Sequence, residues 1–256
     1  MAEPTGPLIT VSIVSHLQGG LVIDLLKDMR RVCDDPALRV ILTLNLPEKL
    51  PFHPEEFPFP IAIRQNPRPL GFGANHNQAF RQASGTYFGV LNPDLRLTRN
   101  PFPILCSTLN AGNQIGVIAP RVEDEAGNTA DNARRFPTPF RILKRILGDS
   151  LKPDYPLAGQ PIPVDWLAGL FLLFPFRLFT AIKGFDERYF MYGEDVDLCA
   201  RFRLAGYEVF WDPRISITHQ AQRHSHRRLN HLKWHVISLI RFFNSEVFAA
   251  LKRRFP

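Results

Sequence analysis

Cysteine is scarce in this chain of 256 residues. Cys33, Cys106 and Cys199 are odd in number and widely spaced. They fit neither a disulfide framework nor a cysteine metal cluster, and they imply a reducing compartment. A basic leader is also lacking: residues 1–15, MAEPTGPLITVSIVS, carry Glu3 and no Lys or Arg, so they do not read as a signal peptide. Long apolar runs are missing too. The longest, residues 166–182, is interrupted by Pro175 and Arg177 and is too short to span a bilayer. Nothing in the middle has the composition of a linker, so the expectation is one domain, residues 1–222, with an appendage, residues 223–256. The expected location is the cytosol, unless the chain docks on a membrane.

Acids thin out toward the C-terminus. In residues 201–256 eleven Lys and Arg face only Glu208, Asp212 and Glu246, so this segment carries +8 of a net +7 and the remainder −1. Such a basic segment suits nucleic acid, anionic lipid or a phosphorylated substrate. It holds no nucleic-acid recognition motif, and the aromatics concentrate in apparently buried strands, so a nucleic-acid partner is not expected.

With 45% apolar and 21% charged residues, the composition is that of a folded globular protein. The 23 prolines predict irregular loops around 51–60 and 151–163. Residues 8–15 read as a buried strand, 18–32 as a helix, 38–45 and 59–65 as further strands, 86–91 as a fourth, 99–110 as a helix and 115–119 as a strand. Strand, helix and strand in alternation imply parallel pairing in a doubly wound α/β sheet, with ligands at the carboxyl ends of the strands.

Three stretches carry chemistry. In residues 66–80, NPRPLGFGANHNQAF, Gly71 and Gly73 relax the backbone just before a helix expected over 74–83. That arrangement suits amides approaching a phosphate, and equally a softened strand-to-helix turn. After the fourth strand comes Asn92-Pro93-Asp94, where a carboxylate can hold a divalent ion bridging two phosphates.

The third stretch is residues 164–219. It runs through Gly184-Phe185-Asp186-Glu187 and the aromatic Tyr189 to Tyr192. It then delivers Glu194, Asp195 and Asp197 to the first turn of a helix over 194–205 that stops at Gly206. The helix dipole predicts that these carboxylates stay ionised, and an ionised carboxylate among aromatic rings suits a general base. First-turn acids also suit plain helix capping. Strands are expected at 207–211 and 215–219, the second ending at His219.

Together these stretches resemble the family-2 glycosyltransferases of GT-A fold, and among them the rhamnosyltransferase-like enzymes of bacterial surface-polysaccharide synthesis. The resemblance covers about residues 8–219. It implies a doubly wound, mainly parallel sheet flanked by helices, and transfer of a sugar, rhamnose first, from a nucleotide-diphosphate donor to a glycan or lipid-linked acceptor with inversion. Asp195 maps onto the base, with Glu194 and Asp197 beside the acceptor. Asn66, Gly71 and Asn77 match the family's asparagine and glycine pattern. Asn92 and Asp94 match its variant metal motif, with His219 as second ligand to Mn²⁺ or Mg²⁺. Trp166 and Gly169 match the segment facing donor sugar and acceptor, and Arg134 and Arg135 fall within its reach.

Two departures stand out. Ser15-His16-Leu17 replaces a common Thr-Tyr-Asn in the nucleotide pocket. The acid that usually binds the base after the second strand is missing from Thr43-Leu44-Asn45-Leu46, which leaves Asn45 for that task. An inactive relative serving as a partner subunit, or a non-catalytic nucleotide- or nucleic-acid-binding module, are the competing readings.

The tail, 223–254, repeats apolar residues at steps of three and four, among them Leu232, Val236 and Ile240. This predicts one amphipathic helix. It suits packing on the body, on a second copy in a homodimer, or peripherally on anionic lipid at the inner face of the plasma membrane.

Overall fold

A computed structural model describes residues 8–33, 37–112, 114–146, 153–220 and 228–255. The 222/223 boundary, Arg223, Arg227 and the start of the 151–163 loop lie outside them. In chain order the elements are β1 (Ile9–Ser15), α1 (Gly19–Val32), β2 (Leu38–Leu44), a 3₁₀ turn (Pro54–Glu56), β3 (Ile61–Gln65), α2 (Phe72–Phe80), β4 (Tyr87–Leu91), β5 (Leu95–Arg96) and α3 (Phe102–Ala111). They continue with β6 (Ile115–Glu123), β7 (Ala133–Arg134), α4 (Pro139–Ile146), β8 (Ile162–Val164), β9 (Trp166–Leu167), β10 (Phe171–Pro175) and α5 (Phe176–Ala181). The last four are α6 (Glu194–Leu204), β11 (Glu208–His219), α7 (Arg228–Phe243) and α8 (Glu246–Arg254).

The main sheet runs β3-β2-β1-β4-β10-β6-β11-β5, with β8 also on β11. Strands β1 to β4 are parallel to one another, β6 and β11 are parallel, and β10 runs against both β4 and β6. The fold is therefore α/β, doubly wound and mainly parallel, as expected.

Side chains alternate across the strands, and the sheet has an apolar core on each face. Tyr87, Leu91, Phe171 and Leu173 join one cluster with Leu25 and Met29 of α1 and Leu105 of α3. Phe88, Val90, Leu172 and Phe174 join the other with Phe179, Leu198, Phe202 and, from the tail, Phe242 and Leu251.

Four expectations change. The strands read at 207–211 and 215–219 are one strand, β11, which crosses the proline by shifting register on β6 between Asp212 and Ser216. The tail helix is two helices: the chain breaks at Asn244, and Ser245 caps α8 by accepting from the Phe248 amide at 3.1 Å. The apolar run 166–182 divides into β9, β10 and α5. Helix α2 begins at Phe72, so Gly73 lies inside it; a Cβ there would stand 2.6 Å from Cβ of Phe185. Among the described residues no helix is long and apolar enough to cross a membrane.

Candidate active site

The parallel strands turn back at the β1/β4 junction, and their carboxyl ends line the crevice where α/β sheets bind ligands. Because β10 is antiparallel to β4, Phe171 pairs with Leu91, and the residues preceding β10 sit at this same edge. The Asn92 amide donates to the Leu170 carbonyl at 2.9 Å, which ties the Asn-Pro-Asp turn to Gly169-Leu170.

Asp94 leaves that turn facing β11. Leu95 pairs with His219, and the Gln220 amide donates to the Asp94 carbonyl at 2.9 Å. His219 Nε2 lies 3.1 Å from Asp94 Oδ2, while Asp94 Oδ1 is buried with no hydrogen-bond partner. A buried, unpartnered carboxylate oxygen beside an imidazole fits a divalent cation. Among the described residues no group of three or more His, Cys, Asp or Glu could hold one. Further ligands would therefore come from phosphate and water, the usual habit of Mg²⁺.

Across the edge, α6 starts after Gly193, whose φ of +83° favours glycine. Asp195 Oδ1 accepts from the Val196 amide at 2.9 Å and Oδ2 from the Gly169 amide at 3.1 Å. Burial raises the Asp195 pKa above the usual carboxylate range, against the pull of those two amides and of Arg134. Glu194 is buried, its Oε2 has no partner, and burial followed by the charge of Asp195 pushes its pKa well up. For both acids desolvation outweighs a helix-dipole effect of about 1 kcal/mol, so their pKa values shift upward where the dipole alone would lower them. Asp197 pairs with Arg201 Nε at 2.7 Å, and Arg201 Nη1 donates to the Ile182 carbonyl. Through Arg201 the Asp197 carboxylate braces α6 against the end of α5.

Several residues expected at the donor make hydrogen bonds or close contacts within the protein. Asn45 Oδ1 accepts from Asn66 Nδ2 and the Leu70 amide, each at 2.8 Å, and its Nδ2 donates to the Leu70 carbonyl. Asn66 also donates to Asn75 Oδ1 at 2.6 Å. Asn77 clasps the Phe185 amide and carbonyl and Glu187. A Cβ on Gly71 would stand 2.5 Å from the Phe190 carbonyl oxygen, so this glycine admits a neighbouring backbone. Ser15 is buried and accepts from the Gln18 amide at 3.1 Å.

An acid does stand close to the turn after β1, from further along the chain than Asn45. Glu48 accepts from the Leu17 and Gly19 amides at 3.2 and 3.0 Å, and so fixes the turn after β1, where Leu17 has φ +62°.

Helix α7 supplies a wall that sequence reasoning missed. Tyr192 meets His231 Nδ1 through its hydroxyl at 2.6 Å and stacks on His235 with ring centroids 3.5 Å apart. Phe190 packs on Trp234 at 5.1 Å, and Ser238 Oγ donates to the Met191 carbonyl at 3.0 Å. Burial, then His231 and Arg134, lower the His235 pKa. Arg134 lies over the Trp166 ring at 5.3 Å, and Trp166 Nε1 donates to the Arg135 carbonyl. Arg134 acts on both Asp195 and His235, which puts the wall and the candidate base in one neighbourhood. The spacing His231, Trp234, His235, Ser238 is itself a helical face, overshadowed by the leucine stripe.

The family model "Glycosyl transferase family 2" matches residues 45–167, and "N-terminal domain of galactosyltransferase" matches 155–234. The chain is 30% identical over 184 residues to "Rhamnosyltransferase WbbL" of Escherichia coli, covering 67% of this chain and 69% of that one. It is 31% identical over 139 residues to "N-acetylglucosaminyl-diphospho-decaprenol L-rhamnosyltransferase" of Mycobacterium tuberculosis, covering 51% and 45%, so it matches less than half of that relative's length. Among solved structures, the mannosyltransferase PcManGT of Pyrobaculum calidifontis, in complex with GDP-Man and Mn²⁺, aligns over 98% of this chain and 69% of its own. The TM-score is 0.64 at 16% identity.

Proposed function

Because the chain belongs to glycosyltransferase family 2 and is a transferase, we propose that it moves a sugar, rhamnose first, from a nucleoside diphosphate to a hydroxyl of a lipid-linked saccharide or growing glycan. The relatives named for rhamnosyl transfer, one of them with a diphospho-decaprenol acceptor, support this substrate class. The transfer inverts the anomeric carbon. Work on such an acceptor places the enzyme at the cytoplasmic face of a membrane.

One observation carries the reading: Asp195, with raised pKa, is oriented by two backbone amides at the same strand edge as the Asp94–His219 pair. A carboxyl tuned upward takes a hydroxyl proton more effectively near neutral pH than one of ordinary pKa. Its proton comes from the acceptor oxygen as that oxygen bonds to the anomeric carbon and the bond to the leaving diphosphate breaks. Asp94 and His219 would hold a divalent cation, which when bound supplies charge neutralisation for the leaving diphosphate. Trp166, Arg134 and Tyr192 enclose the acceptor side, and the missing side chain of Gly169 lets the Phe72 ring pack closely beside Asp195: a Cβ there would stand 3.2 Å from that ring.

Asp195→Asn should lower transfer by about 10²–10⁴-fold while UDP-, dTDP- or GDP-sugars still raise the melting temperature as they do for the parent. Asp94→Ala should abolish the Mn²⁺-dependent part of that thermal shift. Undiminished transfer by Asp195→Asn would sink the assignment of the base.

A further inference from the structure

Helix α7 carries apolar residues on two faces, where a surface helix ordinarily has one. The face against the body carries His231, Trp234 and the buried Ser238 and Phe242. The face turned to solvent carries Leu232, Val236 and Ile240 at steps of four, 60%, 47% and 57% exposed, with Ile237 alongside at 43%. Four large aliphatic side chains presented together on one exposed helix face mark an interaction surface, unlike apolar residues scattered singly.

Cations accompany this face. Lys233 lies one step from Leu232, and Arg241 one step from Ile240. A groove of about 410 Å³ opens where α7 passes the 186–189 turn, lined by Arg188, Ile237, Ile240, Arg241, Asn244 and Ser245. Arg188 is neutralised by Asp186 at 2.6 Å. Arg241 forms no ion pair among the described residues and rests over the Tyr189 ring at 5.7 Å. Helix α7 contains no acid, and residues 201–256 hold eleven Lys and Arg against three acids.

We propose that the outward face of α7 is the membrane-docking surface, with Leu232, Val236, Ile237 and Ile240 entering the interfacial layer of an anionic bilayer. The groove beside Arg241 receives a lipid phosphate, with its aliphatic lining along Ile237 and Ile240. This inference deepens the reading of a membrane-borne acceptor and rests on it. Charge complementarity decides the occupant: an uncharged apolar partner would leave Lys233 and Arg241 unused, and a second copy would bring like charges together. Docking has a further consequence. The opposite face of α7 holds Phe190, Met191 and Tyr192, three to five residues ahead of Asp195. The bilayer plane is thereby set relative to the base, and a lipid-linked acceptor meets a preoriented site.

The test is flotation of the full chain with vesicles of phosphatidylglycerol and phosphatidylcholine, or phosphatidylcholine alone, at low and high salt. Binding is expected only to the anionic vesicles and should weaken with salt. The triple variant Leu232→Ser, Val236→Ser, Ile240→Ser and the single variant Arg241→Glu should each lower it by about tenfold or more. Leu232, Val236 and Ile240 are exposed, and Arg241 is half-buried over the Tyr189 ring. An unchanged melting temperature and an unchanged nucleotide-sugar thermal shift are therefore required of both variants, to verify folding and keep this outcome separate from the donor reading. Inorganic phosphate at matched ionic strength, if it displaced the vesicles, would assign the groove to a free anion and overturn the lipid phosphate. Absence of vesicle binding by the parent chain would overturn the proposal. So would a dimer in light scattering that the triple variant dissociates, which would give the face to a second copy.

Discussion

At the scale of single residues, the neighbouring acids of α6 have different surroundings. Asp195 has two amide donors, and Glu194 Oε2 has none. A carboxyl whose native pKa lies above its unfolded value binds its proton more tightly when folded, so stability declines as pH climbs from the ordinary value of 4.5 toward the raised one. Glu194→Gln removes that titration. Melting temperatures should therefore converge near pH 4 and separate in favour of the variant by pH 8, by about 2–4 °C for each kcal/mol recovered. A gap that stays constant with pH would contradict a charged origin. The same reasoning gives transfer an acid limb, because Asp195 must lose its proton to act and does so at a higher pH than an ordinary aspartate. The sequence displayed both acids and the turn leading to them. It could not display their burial, which depends on Gly169 and the aromatic segment closing over them from elsewhere in the chain.

Single elements were most legible where one face met the core. Strands β1, β2 and β4 and helix α1 lie within two residues of their expected bounds, since β-branched alternation and a regular apolar stripe are local signals. Elements whose bounds depend on distant partners shifted. Helix α2 starts early because Phe185 occupies the place of a side chain at Gly73. Strand β11 survives Pro213 because β6 accommodates a register shift. The loop between β3 and α2 is the instructive case. Asn66 in this loop and Asn45 after β2 read as nucleotide ligands in sequence, yet their amides bond to each other, to Asn75 of α2 and to Leu70. Asn45→Ala should therefore cost about 1–3 kcal/mol through donors left without acceptors. It should leave the rank order of UDP-, dTDP- and GDP-sugars in a thermal-shift panel unchanged. A switch in that order, with stability intact, would return Asn45 to base recognition.

At the scale of the whole molecule, the tail was expected as an appendage, but its packing argues for one cooperative body. Phe242 is fully buried and Leu251 nearly so, in the core cluster that holds Phe174, Phe179 and Phe202. Arg254 Nη1 donates to the Leu204 carbonyl at 2.7 Å across the α6–α8 contact. These partners lie 40 to 77 residues apart in sequence, and no local pattern announces them. For the same reason the wall formed by His231, Trp234 and His235 escaped notice. We propose that residues 223–256 unfold with residues 1–222. A truncated aromatic in a core costs about 3–5 kcal/mol, so Phe242→Ala should lower the midpoint of a single calorimetric transition by on the order of 10 °C. If the tail were a separable unit, the main transition would stay in place and only a minor one would move. The distinction bears on activity, because loosening α7 releases Tyr192 and the segment that carries Asp195. In the single-body case, transfer by Phe242→Ala should fail at a temperature lowered by the same interval as the melt.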